Sequence, residues 1–186
     1  LHVAFHAVMI FFAMAALLFA AVNHFKESSI CLTLAITCFT VFYHCFIRFF
    51  VTAVTYYPLR HLRNTDNFWF RQKPFEKKLY AKIKVHSWKK HMPTYSPEKF
   101  DLRKHSLSEI IAETCRAELN HLIVIPLCFF PVIWSLWWGE FPVFLITSVI
   151  SALAEIPFVV MQRYNRPRLR KLDLRFCDTA AEKNIV

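Results

Sequence analysis

The sequence predicts an all-α integral membrane protein with four transmembrane helices and a cytoplasmic amphipathic, interfacial helical segment between the second and third. Three observations carry that expectation. Of 186 residues, 56% are hydrophobic, with 20 Phe and a single Gly, which is too apolar for a water-soluble domain of this size. Four apolar stretches, about 3–22, 30–54, 119–138 and 141–161, each approach the roughly 20 residues that a bilayer core requires. The basic residues are unevenly placed: of 23 Lys and Arg, 14 lie between Leu59 and Arg116 and six between Arg163 and Arg175.

That asymmetry orients the chain. The short links 23–29 and 139–140 carry only Lys26, so the positive-inside rule puts segment 59–116 and tail 162–186 in the cytoplasm. Both termini then face the cytoplasm, and residues 1–186 read as one membrane domain. The formal charge of +10 is expected to sit beside anionic lipid headgroups. No nucleic-acid-binding pattern is visible. The first span lacks a basic n-region and exceeds the 7–15 apolar residues of a signal peptide, so it reads as a retained helix.

The second span carries Cys31, Cys38 and Cys45 at seven-residue spacing, a stripe of small side chains suited to close helix packing. The six cysteines (31, 38, 45, 115, 128, 177) show no paired metal-ligand spacing. His44 and Arg48 share a face of this span, which ends in the aromatic and breaker residues Tyr56-Tyr57-Pro58. Pro74 is positioned to open a helix over 74–86. There Phe75, Leu79 and Ile83 form one stripe while Lys77, Lys78, Lys82 and Lys84 point elsewhere, as in a helix lying in the membrane interface. A turn-rich, basic and aromatic loop follows, from Trp88 to Tyr95.

Ser106-Leu107-Ser108-Glu109 is a capping box that starts a helix expected to run unbroken into the third span, kinked by Pro126 and Pro131. Trp134, Trp137 and Trp138 mark its outer end. The fourth span is expected to bend or loosen near Pro157 and to deliver Met161-Gln162-Arg163-Tyr164-Asn165-Arg166-Pro167-Arg168-Leu169 to the cytoplasmic surface.

Two stretches concentrate chemistry. Arg163, Arg166 and Arg168 with Gln162 and Asn165 form a set of guanidinium forks and amides suited to an oriented phosphate or carboxylate. In Glu113-Thr114-Cys115-Arg116-Ala117-Glu118-Leu119-Asn120-His121, the helical period puts Glu109, Glu113 and Arg116 on one face and Glu118 and His121 on another. Helical rise sets His121 roughly 7–8 Å deeper than Arg116 and Glu155 roughly 9 Å inside the end of the fourth span. Arg48, Glu118, His121 and Glu155 are thus expected in one layer of the cytoplasmic leaflet, with His44 slightly deeper. Ionisable groups at that depth are costly, and they either pair to hold a bundle together or form a site. His2, His6, His24, His61, His86 and His91 read as surface or span-end residues, and His105 lies beside the capping box. One Gly cannot build a Gly-rich phosphate loop. A Gly-x-Ser-x-Gly elbow is missing.

The pair Glu-Thr-Cys-Arg-Ala-Glu-Leu-Asn-His (113–121) and Gln-Arg-Tyr-Asn-Arg-Pro-Arg-Leu (162–169) resembles the bacterial glycosyl-4,4'-diaponeurosporenoate acyltransferase family of staphyloxanthin-type carotenoid biosynthesis. Trp69-Phe70-Arg71-Gln72-Lys73 and Trp88-Lys89 extend the likeness, which covers roughly 68–172. The chain departs from the pattern at Glu155, where Asn is expected. It departs again in its two long spans before Thr55, with His44 and Arg48. The resemblance implies a bacterial cell-membrane enzyme that moves a fatty acyl group to a hydroxyl of a lipid or glycolipid, whose acceptor need not be a carotenoid.

On that implication, acyl transfer needs a base for the hydroxyl and stabilisation of an oxyanion. His121 is the candidate base, with Glu118 or Glu155 orienting its ring and Arg116 or Arg48 facing the oxyanion. Gln162, Arg163, Asn165, Arg166 and Arg168 would grip an anionic donor, an acyl-CoA or acyl carrier protein. Arg48, His44, Trp88 and Lys89 would also contact substrate, and the 74–86 helix with Trp88 would roof the lipid entrance. No cofactor is expected on this reading. The first rival is a divalent-metal enzyme using the Glu118-x-x-His121 pair, completed by His44, His105 or Glu155. The second is a non-enzymatic lipid-binding or assembly subunit.

Overall fold

The computed structural model describes residues 2–56, 67–93 and 97–183. All regular structure among them is helical: α1 (His2–Lys26), α2 (Ser29–Tyr56), α3 (Pro74–Lys82), α4 (Val85–Trp88), α5 (Leu107–Leu127), α6 (Ser135–Trp138) and α7 (Phe141–Lys183). Short 3-10 turns occupy Phe68–Phe70, Lys89–His91, Pro97–Phe100 and Phe130–Trp134. Four helices are long and apolar enough to cross a membrane, over Val3–Lys26, Ser29–Thr55, Leu107–Trp138 and Phe141–Phe176. The expected all-α membrane architecture is therefore present. Tyr57, Pro58, His61, Thr94 and Tyr95 lie outside the described residues, as does the side chain of Cys177.

Backbone contacts group the chain into two compact units, Leu1–Tyr56 with Leu122–Ile156 and Tyr57–His121 with Pro157–Val186. In the first unit, α1 packs along α2. Most of the apolar surface of α1, including Val3, Ile10, Phe11, Leu17 and Leu18, points outward, as a lipid-facing helix requires. Ala13, Ala16, Ala20 and Ala35 keep side chains short and leave an apolar slot of about 400 Å³ floored by Phe39, Phe42 and Trp138. The core of this unit is Ile47, Val51, Val124, Cys128 and Ala152. Of the cysteine stripe, Cys38 is buried while Cys31 and Cys45 are half-buried, all as free thiols.

The helix that starts at the capping box runs unbroken into the third span, and the expected disturbance comes at Pro131 rather than at Pro126. Helix α5 absorbs Pro126 but ends at Leu127, and the chain tightens into 3-10 geometry around Pro131 before α6. The reason is a missing donor. Pro131 has no N–H for the carbonyl of Leu127 four residues earlier, so that carbonyl would be orphaned. Instead it accepts from the Tyr43 hydroxyl at 3.0 Å. The Tyr43 ring is itself held by edge contacts with Trp134 and a stack on Phe130.

The capping box forms as expected. The Ser106 N–H donates to Glu109 Oε2 at 2.8 Å, and the Glu109 N–H donates to Ser106 Oγ at 3.3 Å. The 74–86 helix forms only in part: α3 stops at Lys82, and Lys84 sits in the left-handed region (φ 50°) before α4. Trp88 Nε1 closes that turn by donating to the Ile83 carbonyl at 3.0 Å. The α3 stripe of Phe75, Leu79 and Ile83 is exposed, while Glu76 and Tyr80 on the other side are buried. The stretch from Phe141 becomes one 43-residue helix, roughly 65 Å long at the helical rise, which runs through Pro157 and Pro167. The arginine run therefore lies on a helix, and its buried residues Gln162 and Arg166 follow Glu155 at helical spacing.

One test follows from the Pro131 repair. Replacing Tyr43 with Phe keeps the ring contacts and removes the donor, so unfolding in detergent should show a loss of about 1–2 kcal/mol. Unchanged stability would mean that the Leu127 carbonyl finds another partner.

Candidate active site

The second unit is organised around one carboxylate. Glu118, on α5, is fully buried, and each of its oxygens takes a different arginine of α7. Arg163 Nη1 donates to Oε1 at 2.6 Å, and Arg166 Nη2 donates to Oε2 at 2.5 Å. Arg163 and Arg166 are three residues apart, so both forks lie on one side of α7.

The rest of each fork is also used. Arg163 Nε donates to Glu76 Oε1 of α3 at 2.8 Å, and its Nη2 lies 2.6 Å from the same oxygen. Its Nη1 and Nη2 also reach the carbonyls of Trp69 (3.2 Å) and Arg71 (3.4 Å). Arg166 donates from Nε to Thr114 Oγ1, from Nη2 to the Thr114 carbonyl and from Nη1 to the Phe70 carbonyl, at 3.1–3.2 Å. Its guanidinium lies 5.0 Å from the Phe70 ring centre. The Phe68–Phe70 turn is itself capped by Asn67, whose Oδ1 accepts from the Trp69 N–H at 3.0 Å. The buried Arg166 and the half-buried Arg163 thus balance two buried carboxylates and tie α3, α5, α7 and the Phe68–Phe70 turn together.

The remaining candidates of this unit surround that clamp. His121, one turn beyond Glu118, is half-buried and stacks on Phe158 with ring centres 4.8 Å apart and planes at 12°. Arg116 is buried and pairs with Glu113, its Nε donating to Oε2 at 2.8 Å; Lys99 Nζ lies 3.7 Å from Glu113. His105 Nδ1 is 3.6 Å from Glu109 at the capping box. Lys89 Nζ donates to Asn165 Oδ1 at 2.8 Å and lies 4.9 Å from the Tyr164 ring centre. Burial, with Arg168 and Lys90 nearby, pulls the Lys89 ammonium below its usual range. Tyr80 meets Tyr164 edge-to-face. Its phenol is pushed up to about 12, first by burial and then by the neighbouring Glu76 carboxylate. Arg168 turns away from the clamp and lies 3.7 Å over the Tyr164 ring.

The first unit holds the other candidates. Arg48 pairs with the buried Glu155, donates to the His44 carbonyl and reaches Ser151 Oγ at 3.4 Å. His44 is buried, and neither of its ring nitrogens meets a hydrogen-bond partner among the described residues.

Placement thus divides the expected donor grip. Arg163 and Arg166 face inward and are engaged by the protein's own carboxylates, while Arg168 is exposed and Lys89 half-buried. Glu118 gives both oxygens to arginines. Among the described residues, no three His, Cys, Asp or Glu side chains converge as metal-ion ligands. Sequence reasoning missed Glu76, Thr114 and the carbonyls of Trp69, Phe70 and Arg71. Glu76 carried one legible signal, being the single acid in the basic stretch from Arg71 to Lys90.

The stretches joined by the clamp coincide with the family likeness. Residues 66–174 match the glycosyl-4,4'-diaponeurosporenoate acyltransferase family. The chain belongs to that family. The match spans more than half of the sequence and contains every partner in the Glu118 network. Comparisons with curated proteins and with solved structures return no match. Acyltransferase membership and four membrane-length helices make this a membrane protein of the acyl-transfer class.

The clamp makes a stability prediction. Glu118→Gln or Arg166→Met leaves buried charge unpaired and should cost about 3–5 kcal/mol. Arg168→Gln, outside the clamp, should change stability by less than about 0.5 kcal/mol. Thermal unfolding in one detergent compares all three, and equal effects would show that Glu118 is not the organising group.

Proposed function

We propose that this protein transfers a fatty acyl group from an acyl-CoA or acyl carrier protein to a hydroxyl of a lipid or glycolipid at the cytoplasmic leaflet of a bacterial cell membrane. The observation that carries the proposal is the family match over 66–174, which contains the whole buried clamp. The four long apolar helices support a lipid as one substrate.

His121 is the proposed general base. It is half-buried, its ring is held flat against Phe158, and it sits one turn from Glu118 on the same helix. The base takes the acceptor hydroxyl proton as its oxygen attacks the acyl carbonyl, and returns a proton to the leaving group when the tetrahedral intermediate collapses. Glu118 acts as a positioning residue. With Arg163 and Arg166 it fixes α5 against α7 and thereby sets the place of His121. Arg116, in the same unit, is the proposed source of positive charge for the oxyanion.

The orientation proposed from the basic residues keeps both termini in the cytoplasm. The Lys and Arg of 59–116 and of the tail support it. A membrane-impermeant thiol reagent applied from outside should then leave Cys177 unlabelled in intact cells. Labelling from outside would reverse the topology.

The catalytic assignment is tested with His121→Ala in liposomes and a labelled acyl donor. The variant should stay folded and lose about 100-fold or more in turnover. Retained turnover would remove His121 from the chemistry. The same purified protein should carry no stoichiometric zinc, iron or manganese by elemental analysis, and a one-to-one metal would favour the metal-dependent alternative. The non-enzymatic alternative would be favoured by a folded wild type with no turnover for any acyl donor.

A further inference from the structure

The clamp leaves the second unit with a separate cationic feature. A groove of about 560 Å³ opens between α3, α4 and α7, and Lys77, Lys84, Arg168 and Lys171 line it together with His86. No Asp or Glu is among its lining residues. Gln72 and Ser87 add neutral donors and acceptors. All of these residues fall within the family match.

We propose that this groove binds the phosphorylated nucleotide end of a thioester acyl donor, as in coenzyme A. The proposal rests on the acyltransferase reading above and specifies its donor. Charge is the first argument. Four fixed cations in one concavity far exceed what a lipid phosphodiester with about one negative charge would use. A nucleotide handle with a diphosphate and a phosphomonoester carries about four. Size is the second argument, because the volume lies within the range of pockets that enclose small ligands of this class. The third is how the cations are held.

Lys84 occupies a left-handed backbone position that a glycine would fill without strain, so the turn places a cation where folding alone asks for none. Arg168 is laid over Tyr164, and Lys89, tied to Asn165, adds positive field beside it. With one Gly in the chain, phosphate recognition cannot come from a glycine-rich loop of backbone N–H groups. Side-chain cations from α3, the following turn and α7 take that task. An acyl carrier protein, which would present a broad acidic surface, needs no concavity of this kind.

The test measures binding rather than turnover, so it separates this proposal from the acyl-transfer reading. The full chain in nanodiscs of zwitterionic lipid is titrated with coenzyme A by calorimetry, then with dephospho-coenzyme A, adenosine 3',5'-bisphosphate and inorganic phosphate. Coenzyme A should bind, adenosine 3',5'-bisphosphate should compete, and dephospho-coenzyme A should bind at least about tenfold more weakly, as expected for a lost charge-assisted contact. Lys84→Gly and Lys171→Ala should each weaken coenzyme A about tenfold while unfolding temperature stays within a few degrees. Because Lys84→Gly relaxes the turn, its loss of binding cannot be ascribed to misfolding.

Three results would overturn the proposal. One is no coenzyme A binding by a protein that still turns over an acyl carrier protein thioester. Another is binding that inorganic phosphate displaces as well as the bisphosphate does. The third is a response of the same variants only to nanodiscs containing anionic lipid, which would make the groove a headgroup site. Coenzyme A binding without turnover would sustain the groove and count against the acyl-transfer reading instead.

Discussion

A fully buried carboxylate must be neutralised, and Glu118 is neutralised twice, by Arg163 and by Arg166. Much of the second unit follows from that requirement. Arg163 brings excess positive charge inward, which draws Glu76 and hence α3 to it. The spare N–H groups of both forks need acceptors, and the Phe68–Phe70 turn supplies carbonyls in a row. The result is a polar network in which two cations meet two anions and most donors have a named acceptor, while Glu76 Oε2 is buried without a hydrogen-bond partner among the described residues. Such networks hold position well because a partial version costs more than none.

That network also explains the grouping of the family likeness. The Trp69-Phe70-Arg71 stretch, the Thr114–Glu118 stretch and the arginine run are distant in sequence. Physically they are the partners of one another. The match over 66–174 therefore contains the whole of this network. His121 lies just past the clamp on α5 and inherits its placement from it.

The same arrangement separates two roles that guanidinium groups can play. Arg163 and Arg166 spend their forks on carboxylates, carbonyls and Thr114 and hold the protein to itself. Arg168, two residues past Arg166 and so on another face of α7, is not engaged in this way and joins lysines of α3 and of the following turn around an acid-free groove. The buried acids take up the inner arginines, so the groove keeps its positive field for a ligand. The apolar stripe of Phe75, Leu79 and Ile83 stays exposed on α3, while Glu76 and Tyr80 of that helix turn inward.

Features that depend only on neighbouring residues were legible from the chain alone. The four spans follow from runs of apolar side chains, because bilayer thickness sets a length that composition can meet or fail. The Ser106–Glu109 capping box follows from two side chains three residues apart. The importance of Glu118 and of the arginine run was legible as well, since ionisable groups beside apolar spans are costly. Their direction was not. Whether a fork faces a substrate or a carboxylate depends on which acid folding brings across from it. For Arg163 those acids lie 45 and 87 positions away. The disturbance at Pro131 was legible from the missing N–H, but its repair was not, because the freed carbonyl is satisfied by Tyr43 from 84 positions away. Hydrophobic length is a local property of the chain, whereas the pairing of buried charge is settled only when distant helices meet.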